Sequence, residues 1–212
     1  MKGGKAGGPF IIEPLGSPRK MRLAKREMSL TTLGQAVGLA CMSLKEEMTG
    51  LAKHARLASR QLAGMSAAYK NRALLAMADA IEDNASAIKS ENAKDMVAGE
   101  EMGLSKALLD RLLLDDARIA GMATGLREVA ELPDPVGRVL DERDRPNGLK
   151  LSKVASPIGV IVIIYESRPN VTADAAGLCF KSGNVTILRG GKEAIHSNQI
   201  IARTMIDAAV TV

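Results

Sequence analysis

From Ser43 onward, apolar side chains return every third or fourth residue. Leu44, Met48, Leu51, Ala52, Ala55, Leu62 and Ala63 share one stripe, the spacing of a half-buried α-helix. Ser43 followed by Glu46 has the form of a capping box, in which hydroxyl and carboxylate each satisfy a free backbone amide. Gly64 is placed to close the helix. Ser66 opens a longer helix whose stripe runs through Leu74, Met77, Ala78, Ile81, Ala85 and Ile88. Asn84 and Ser86 weaken that stripe without demanding a break. Shorter helices are predicted near 105–113 and 115–129, and Pro133 and Pro135 end the helical region.

The period then changes. Residues 137–141 and 149–155 flank Asn147-Gly148, the dipeptide that most readily takes the left-handed conformations of a two-residue hairpin turn. Their charges (Arg138, Lys150, Lys153) suggest a half-exposed ribbon. Residues 158–164 are a continuous apolar run rich in β-branched side chains, the mark of a strand covered on both faces. A helix over about 171–181 capped by Gly183, a second buried strand over 185–188 and a helix over 193–209 follow. Strand–helix–strand–helix at these lengths is a right-handed parallel unit. The fold class is therefore α/β: amino-terminal helices (43–131) and a hairpin (137–155) lead into an incomplete Rossmann-like parallel sheet (157–210).

Residues 1–42 stand apart as a basic extension. Gly and Pro crowd positions 1–18 without sustained periodicity, which predicts disorder. Seven of the 29 Lys and Arg but two of the 24 acidic residues fall in 1–42, so the whole formal charge of +5 sits there. The remainder is balanced, which removes the main support for a nucleic-acid surface. A basic stretch from Arg19 to Arg26 before a diluted apolar one has the outline of a secretory signal. Thr31, Thr32, Gly34, Gln35 and Gly38 interrupt it, and Gly38-Leu39-Ala40-Cys41 departs from a lipoprotein box. The expectation is no signal, with Met28 or Met42 as the natural start. No run approaches the 20 or so apolar residues of a membrane span. Two cysteines, Cys41 and Cys179, form neither a metal-ligand spacing nor a disulfide framework, so a reducing cytoplasm and no metal are expected.

In an open parallel sheet, ligands bind at the carboxyl ends of the strands. Two loops lie there. Arg189-Gly190-Gly191-Lys192-Glu193 offers two glycines for close backbone approach, a helix start that favours anions and two cations. It reads either as a phosphate or carboxylate site or as a plain strand-to-helix turn with solvated charges. No Gly-x-Gly-x-x-Gly is present. Tyr165-Glu166-Ser167-Arg168-Pro169-Asn170 places Arg168 to pair an anion and Asn170 to donate to an oxyanion. The bland alternative is Asn170 or Thr172 as helix cap and Arg168 in a surface ion pair. Cys179, amid Ala176, Leu178 and Phe180, reads as a small buried apolar residue, not a nucleophile. His196 reads as a surface or capping group.

Residues 156–172 (Ser-Pro-Ile-Gly-Val-Ile-Val-Ile-Ile-Tyr-Glu-Ser-Arg-Pro-Asn-Val-Thr) resemble the signature stretch of the gamma-glutamyl phosphate reductases, a branch of the aldehyde dehydrogenase superfamily. Lys181-Ser182-Gly183-Asn184 and Ile187-Leu188-Arg189-Gly190-Gly191-Lys192-Glu193-Ala194 are similar too. So are Lys70-Asn71-Arg72, Leu108-Leu109-Asp110-Arg111-Leu112 and Asp134-Pro135-Val136-Gly137. The likeness runs from about Ser43 to Val212.

The resemblance implies a sheet of the aldehyde dehydrogenase type and NADPH-dependent reduction of L-glutamyl 5-phosphate to L-glutamate 5-semialdehyde, with release of phosphate, in proline biosynthesis. A cysteine thiolate of the family attacks the acyl phosphate, giving a thioester that takes hydride. That cysteine is expected beyond Val212, in a catalytic domain absent from these residues, so no catalytic residue is assigned here. By the same analogy Ser167, Arg168 and Asn170 would face substrate. Arg189, Gly190, Gly191 and Lys192 would face the cofactor, with Arg189 near a 2′-phosphate. The resemblance also implies a cytoplasmic homo-oligomer acting on a small molecule, with no nucleic-acid or membrane partner and the hairpin as subunit-contact ribbon. The expected state of this chain alone is an inactive fragment; the alternative is a non-catalytic module that binds a nucleotide or a partner.

Overall fold

The computed structural model describes residues 10–12 and 43–212. In chain order the elements are β1 (Phe10–Ile12), α1 (Leu44–Ala63), α2 (Ala67–Asp83), α3 (Ala85–Glu101), α4 (Lys106–Leu112) and α5 (Asp116–Glu131). Then come β2 (Val139–Asp144), β3 (Lys150–Val154), β4 (Val160–Ile164), α6 (Asn170–Lys181), β5 (Val185–Arg189), a 3-10 turn (Lys192–Ala194) and α7 (Ile195–Ala209).

Local chemistry sets the helix starts. At α1 the Ser43–Glu46 capping box is complete, while Ser66, Ser105 and Asp115 each accept a backbone N–H at the starts of α2, α4 and α5. The single long helix predicted after Ser66 is two helices. Asn84 leaves helical geometry (φ −98°, ψ 14°) and turns its side-chain amide back to the Ala80 carbonyl at 2.8 Å. An asparagine that bonds locally competes with the helical ladder, and the stripe continues in α3 on a new axis.

β4 and β5 pair in parallel, with Val160 opposite Val185 and Ile164 opposite Arg189. The expected order β4–α6–β5–α7 is present. The other edge of β5 is not free: β1 pairs with it antiparallel, Phe10 opposite Leu188. The three residues of β1 are the only residues of the extension among those described. An unpaired strand edge presents a row of amides and carbonyls that another strand can satisfy. The basic stretch of the extension and Cys41 lie outside the described residues.

A second correction concerns β4. It is not covered on both faces: Ile161 and Ile163 on one face are partly buried, whereas on the other only Val160, at the start of the strand, is partly buried and Val162 is 61% and Ile164 79% exposed. Strand geometry sends successive side chains to opposite faces, and among the described residues nothing covers the Val162–Ile164 end of one face. The β2–β3 hairpin is exposed along its whole length, both strands included.

The core lies where α2 packs on α5 and α7, α5 on α6, and α1 on β5. Leu74, Met77, Ile81, Leu126, Phe180, Leu188, Ile201 and Met205 are its principal members. Gly183 follows α6 with φ +76°, and a side chain there would strike Pro157. One polar network crosses the core. The fully buried Lys70 ammonium lies 2.5 Å from the Asp134 carboxylate and donates to the Lys181 carbonyl at 3.0 Å. The Lys181 ammonium donates in turn to Asn71 and to the Ala130 carbonyl. The network thus ties α2, the end of α5 and the end of α6 together.

Candidate ligand-binding site

Both loops stand at the carboxyl ends of adjacent parallel strands; one residue pair joins them directly, and a second chain of hydroxyls ties the first loop to α7. The Glu193 carboxylate accepts the Ser167 backbone N–H at 2.9 Å and its hydroxyl at 2.8 Å. The Tyr165 and Thr172 hydroxyls share a hydrogen bond of 2.6 Å, and Thr172 Oγ1 donates to Asn198 Oδ1 at 3.0 Å. Ser167 is buried at φ +23°, a left-handed conformation rare for a residue with a side chain. It is this turn that brings Arg168 to the surface and starts α6 at Asn170.

These contacts change the physical reading of the two glycines. A Cβ on Gly190 would run into the Asn198 side-chain amide, and one on Gly191 into the Glu193 carboxylate. A side chain at either position would therefore displace a group that holds the junction, so packing already favours glycine there. Arg189 and Lys192 are exposed on either side. Arg189 folds back so that its guanidinium donates to the Gly190 carbonyl.

Burial works against ionisation of Glu193. Its own amide, both Ser167 donors and nearby Lys192 outweigh that cost and hold the carboxyl below its ordinary range. Burial raises the Tyr165 phenol, a shift opposed by Thr172. It also raises the Asp174 carboxyl, against a hydrogen bond from Asn170 at 3.1 Å.

The structure therefore brings Ser167, Arg168 and Asn170 to one loop and Arg189, Gly190, Gly191 and Lys192 to its neighbour. The bland cap does not form: the N-cap of α6 is Pro169 with no side-chain bond, and Thr172 serves the Tyr165–Asn198 link instead. No ion pair holds Arg168 among the described residues. Cys179 is buried and its thiol pushed up by desolvation, in keeping with a packing role. His196 is exposed, 3.7 Å from the Glu91 carboxylate, and its backbone amide donates to the buried Asp95. No cluster of His, Cys, Asp or Glu suited to a metal occurs among the described residues.

Two residues of the site escape reading by composition and spacing. Glu193 stands inside a motif that carries the resemblance, but nothing in the sequence shows that it holds Ser167. Asp174 is one helical turn after Asn170, a spacing at which side chains meet; that is the one local signal.

Comparison with known proteins decides the relationship. No family model matches the chain. The gamma-glutamyl phosphate reductase of Moorella thermoacetica is 58% identical over 168 residues, covering 79% of this chain and 40% of that protein. That of Geotalea daltonii is 56% identical over 166 residues, covering 78% and 40%. The crystal structure of the Thermotoga maritima gamma-glutamyl phosphate reductase superposes with a TM-score of 0.76 at 38% identity, over 78% of this chain and 40% of that one. The chain is a homologue of the gamma-glutamyl phosphate reductases.

It spans 40% of the length of the curated reductases it matches. A Listeria monocytogenes protein described as a probable aldehyde dehydrogenase shares the fold at a TM-score of 0.58 and 20% identity, over 78% of this chain and 34% of that one. The α/β architecture is thus that of this reductase and of the aldehyde dehydrogenase type. Among the described residues no helix is long and apolar enough to cross a membrane.

Proposed function

We propose that this chain carries the part of an NADPH-dependent L-glutamyl 5-phosphate reductase that holds cofactor and substrate. The whole reaction takes L-glutamyl 5-phosphate, NADPH and a proton to L-glutamate 5-semialdehyde, NADP and phosphate, a step of proline biosynthesis. The observation that carries the reading is the hydrogen-bonded junction of two loops at the ends of β4 and β5, in a chain 58% identical to such a reductase.

The residues fit the nucleotide chemically. Arg189 and Lys192 are exposed cations beside the end of β5, with no ion-pair partner among the described residues. A guanidinium at this place suits a 2′-phosphate, hence NADPH over NADH. When bound, NADPH supplies the hydride. On the substrate side Ser167, Arg168 and Asn170 form the facing loop. Asn170 gives one amide hydrogen to Asp174 and keeps a second for a developing oxyanion. The covalent step is assigned to a cysteine outside these 212 residues, since Cys179 is buried with its thiol raised. The exposed hairpin supplies the subunit contact of a cytoplasmic homo-oligomer.

Thermal unfolding with added nucleotide tests the cofactor half. NADPH should stabilise the chain saturably, by about 2.7 kcal/mol at a hundredfold excess over Kd. NADH should do much less, and Arg189→Ala should erase the difference. Equal effects of both nucleotides would sink the assignment of Arg189. The chain alone should show no phosphate-dependent oxidation of glutamate semialdehyde with NADP; turnover would mean that it contains its own nucleophile.

A further inference from the structure

The face of the first loop turned away from β5 borders two clefts, of about 400 and 460 Å³, that meet along Arg111 and Arg168. Pockets for small ligands begin at about 300 Å³, so either is large enough for a metabolite. The cations around the first cleft differ in what they do. Arg118 is spent within the fold: it donates to the Leu113 carbonyl at 2.8 Å and to the Asp110 carboxylate at 3.1 Å, tying α5 to the end of α4. Arg111 and Arg168 are exposed and have no ion pair among the described residues. Two guanidiniums on one cleft repel each other until an anion lies between them, and each matches the flat fork of a carboxylate. The opposite sign is also present. Asp174 lines the same cleft, one helical turn after Asn170.

Arginines and a carboxylate around one cleft match a zwitterion better than a simple anion. We propose that this cleft receives the α-amino-acid end of the substrate, with Arg111 and Arg168 gripping the α-carboxylate and Asp174 facing the α-ammonium. This rests on the function proposed above and extends it to residues on α4 and α6. Arg111 becomes the specificity residue for the end of the molecule that does not react. Its partner Arg168 is set in place because Ser167, one residue earlier, is held by Glu193.

Calorimetric titration of the chain with L-glutamate, glutarate and 4-aminobutyrate tests this, with NADPH melting curves run in parallel. L-glutamate should bind saturably. Glutarate lacks the ammonium and 4-aminobutyrate the α-carboxylate, and each should bind at least tenfold more weakly. Arg111→Ala should lower L-glutamate affinity at least tenfold and leave the NADPH-induced rise in Tm unchanged, which also shows that the variant is folded. Arg111→Lys should not restore binding, because the two-pronged grip is lost. Asp174→Asn should bring L-glutamate down to the affinity of glutarate. Unchanged L-glutamate binding by Arg111→Ala overturns the proposal. So does a wild-type chain that NADPH stabilises but L-glutamate does not bind, although the reductase reading then stands. Binding of L-glutamate through Arg111 without any NADPH effect supports the cleft and removes the cofactor assignment, and binding of neither removes both.

Discussion

Glu193 accepts two hydrogen bonds from a single residue, Ser167, on the neighbouring loop, at 2.9 and 2.8 Å. Ser167 has φ +23°, a conformation that costs about 1–3 kcal/mol for a residue with a side chain. Hydrogen bonds to a charged acceptor contribute about 1.5–3 kcal/mol each. The pair therefore has enough stabilisation to hold the turn that presents Arg168 and Asn170. The geometry of the loop after β4 is in this sense set from the loop after β5.

Gly191 should prove as important to this arrangement as Glu193 itself. A Cβ at 191 would run into the carboxylate and push it off Ser167. Gly191→Ala and Glu193→Ala should each speed amide exchange at Ser167 and lower Tm, and the double variant should be little worse than either. Residues that act through one contact show this non-additivity. Independent, additive losses would mean that the Gly191 backbone matters for another reason.

The uncovered face of β4 should make the chain associate. Ile164 is 79% and Val162 61% exposed, close to Ile158 at 83%, and contiguous apolar surface beside a strand promotes self-association. Sedimentation should show concentration-dependent assembly. Val162→Lys with Ile164→Lys should shift it toward monomer without lowering Tm. Assembly that survives both charges would point to the hairpin instead, where Leu140 and Leu151 are also exposed.

How far the sequence shows this structure differs from element to element. Helix starts are the most legible feature, because their chemistry is local: the Ser43–Glu46 box caps as predicted, Ser66 opens its helix, and Ser105 and Asp115 cap the shorter helices expected near 105 and 115. Asn84 looks the same in a hydrophobic stripe whether it bends the helix or not, so the break into α2 and α3 stays hidden. The run 158–164 shows its β character, but coverage depends on what packs against it, which one strand's sequence does not contain. The same division holds for function. The hairpin is announced by Asn147-Gly148, but only Gly148 takes the left-handed conformation (φ +83°), its amide closing the turn on the Arg145 carbonyl. Lys70, Asp134 and Lys181 lie far apart in the chain and share a network only after folding. The motifs that carry the family likeness therefore mix two jobs: Lys70, Asn71, Asp134 and Lys181 brace the core, while Arg111 and Arg168 face a cleft.

Cys179 should be inert. It is 6% exposed, and burial raises its thiol. Thiolate is the reactive form, so iodoacetamide should label this position in urea and leave it untouched in buffer. Rapid labelling of the native chain at Cys179 would contradict the packing role.

The Lys70–Asp134 pair sets an acid limit on stability. Burial raises the Asp134 carboxyl, but the Lys70 hydrogen bond, the Val136 amide and the charges of Lys70 and Lys181 outweigh it, leaving a net fall below the ordinary value. A carboxyl whose folded pKa is depressed binds protons more tightly in the unfolded chain. Its contribution is complete above the unfolded value of about 3.9 and is lost as the pH falls through the folded one. Lys70→Ala leaves Asp134 without its partner, and breaking a buried pair from one side costs about 3–5 kcal/mol. At pH 7 that variant should unfold well below wild type. Asp134→Asn should also be destabilised at pH 7, but its deficit should shrink steadily below pH 4, because wild type loses the same charge there. Parallel Tm curves for Asp134→Asn and wild type down to pH 2.5 would show that the Asp134 charge does not hold this junction.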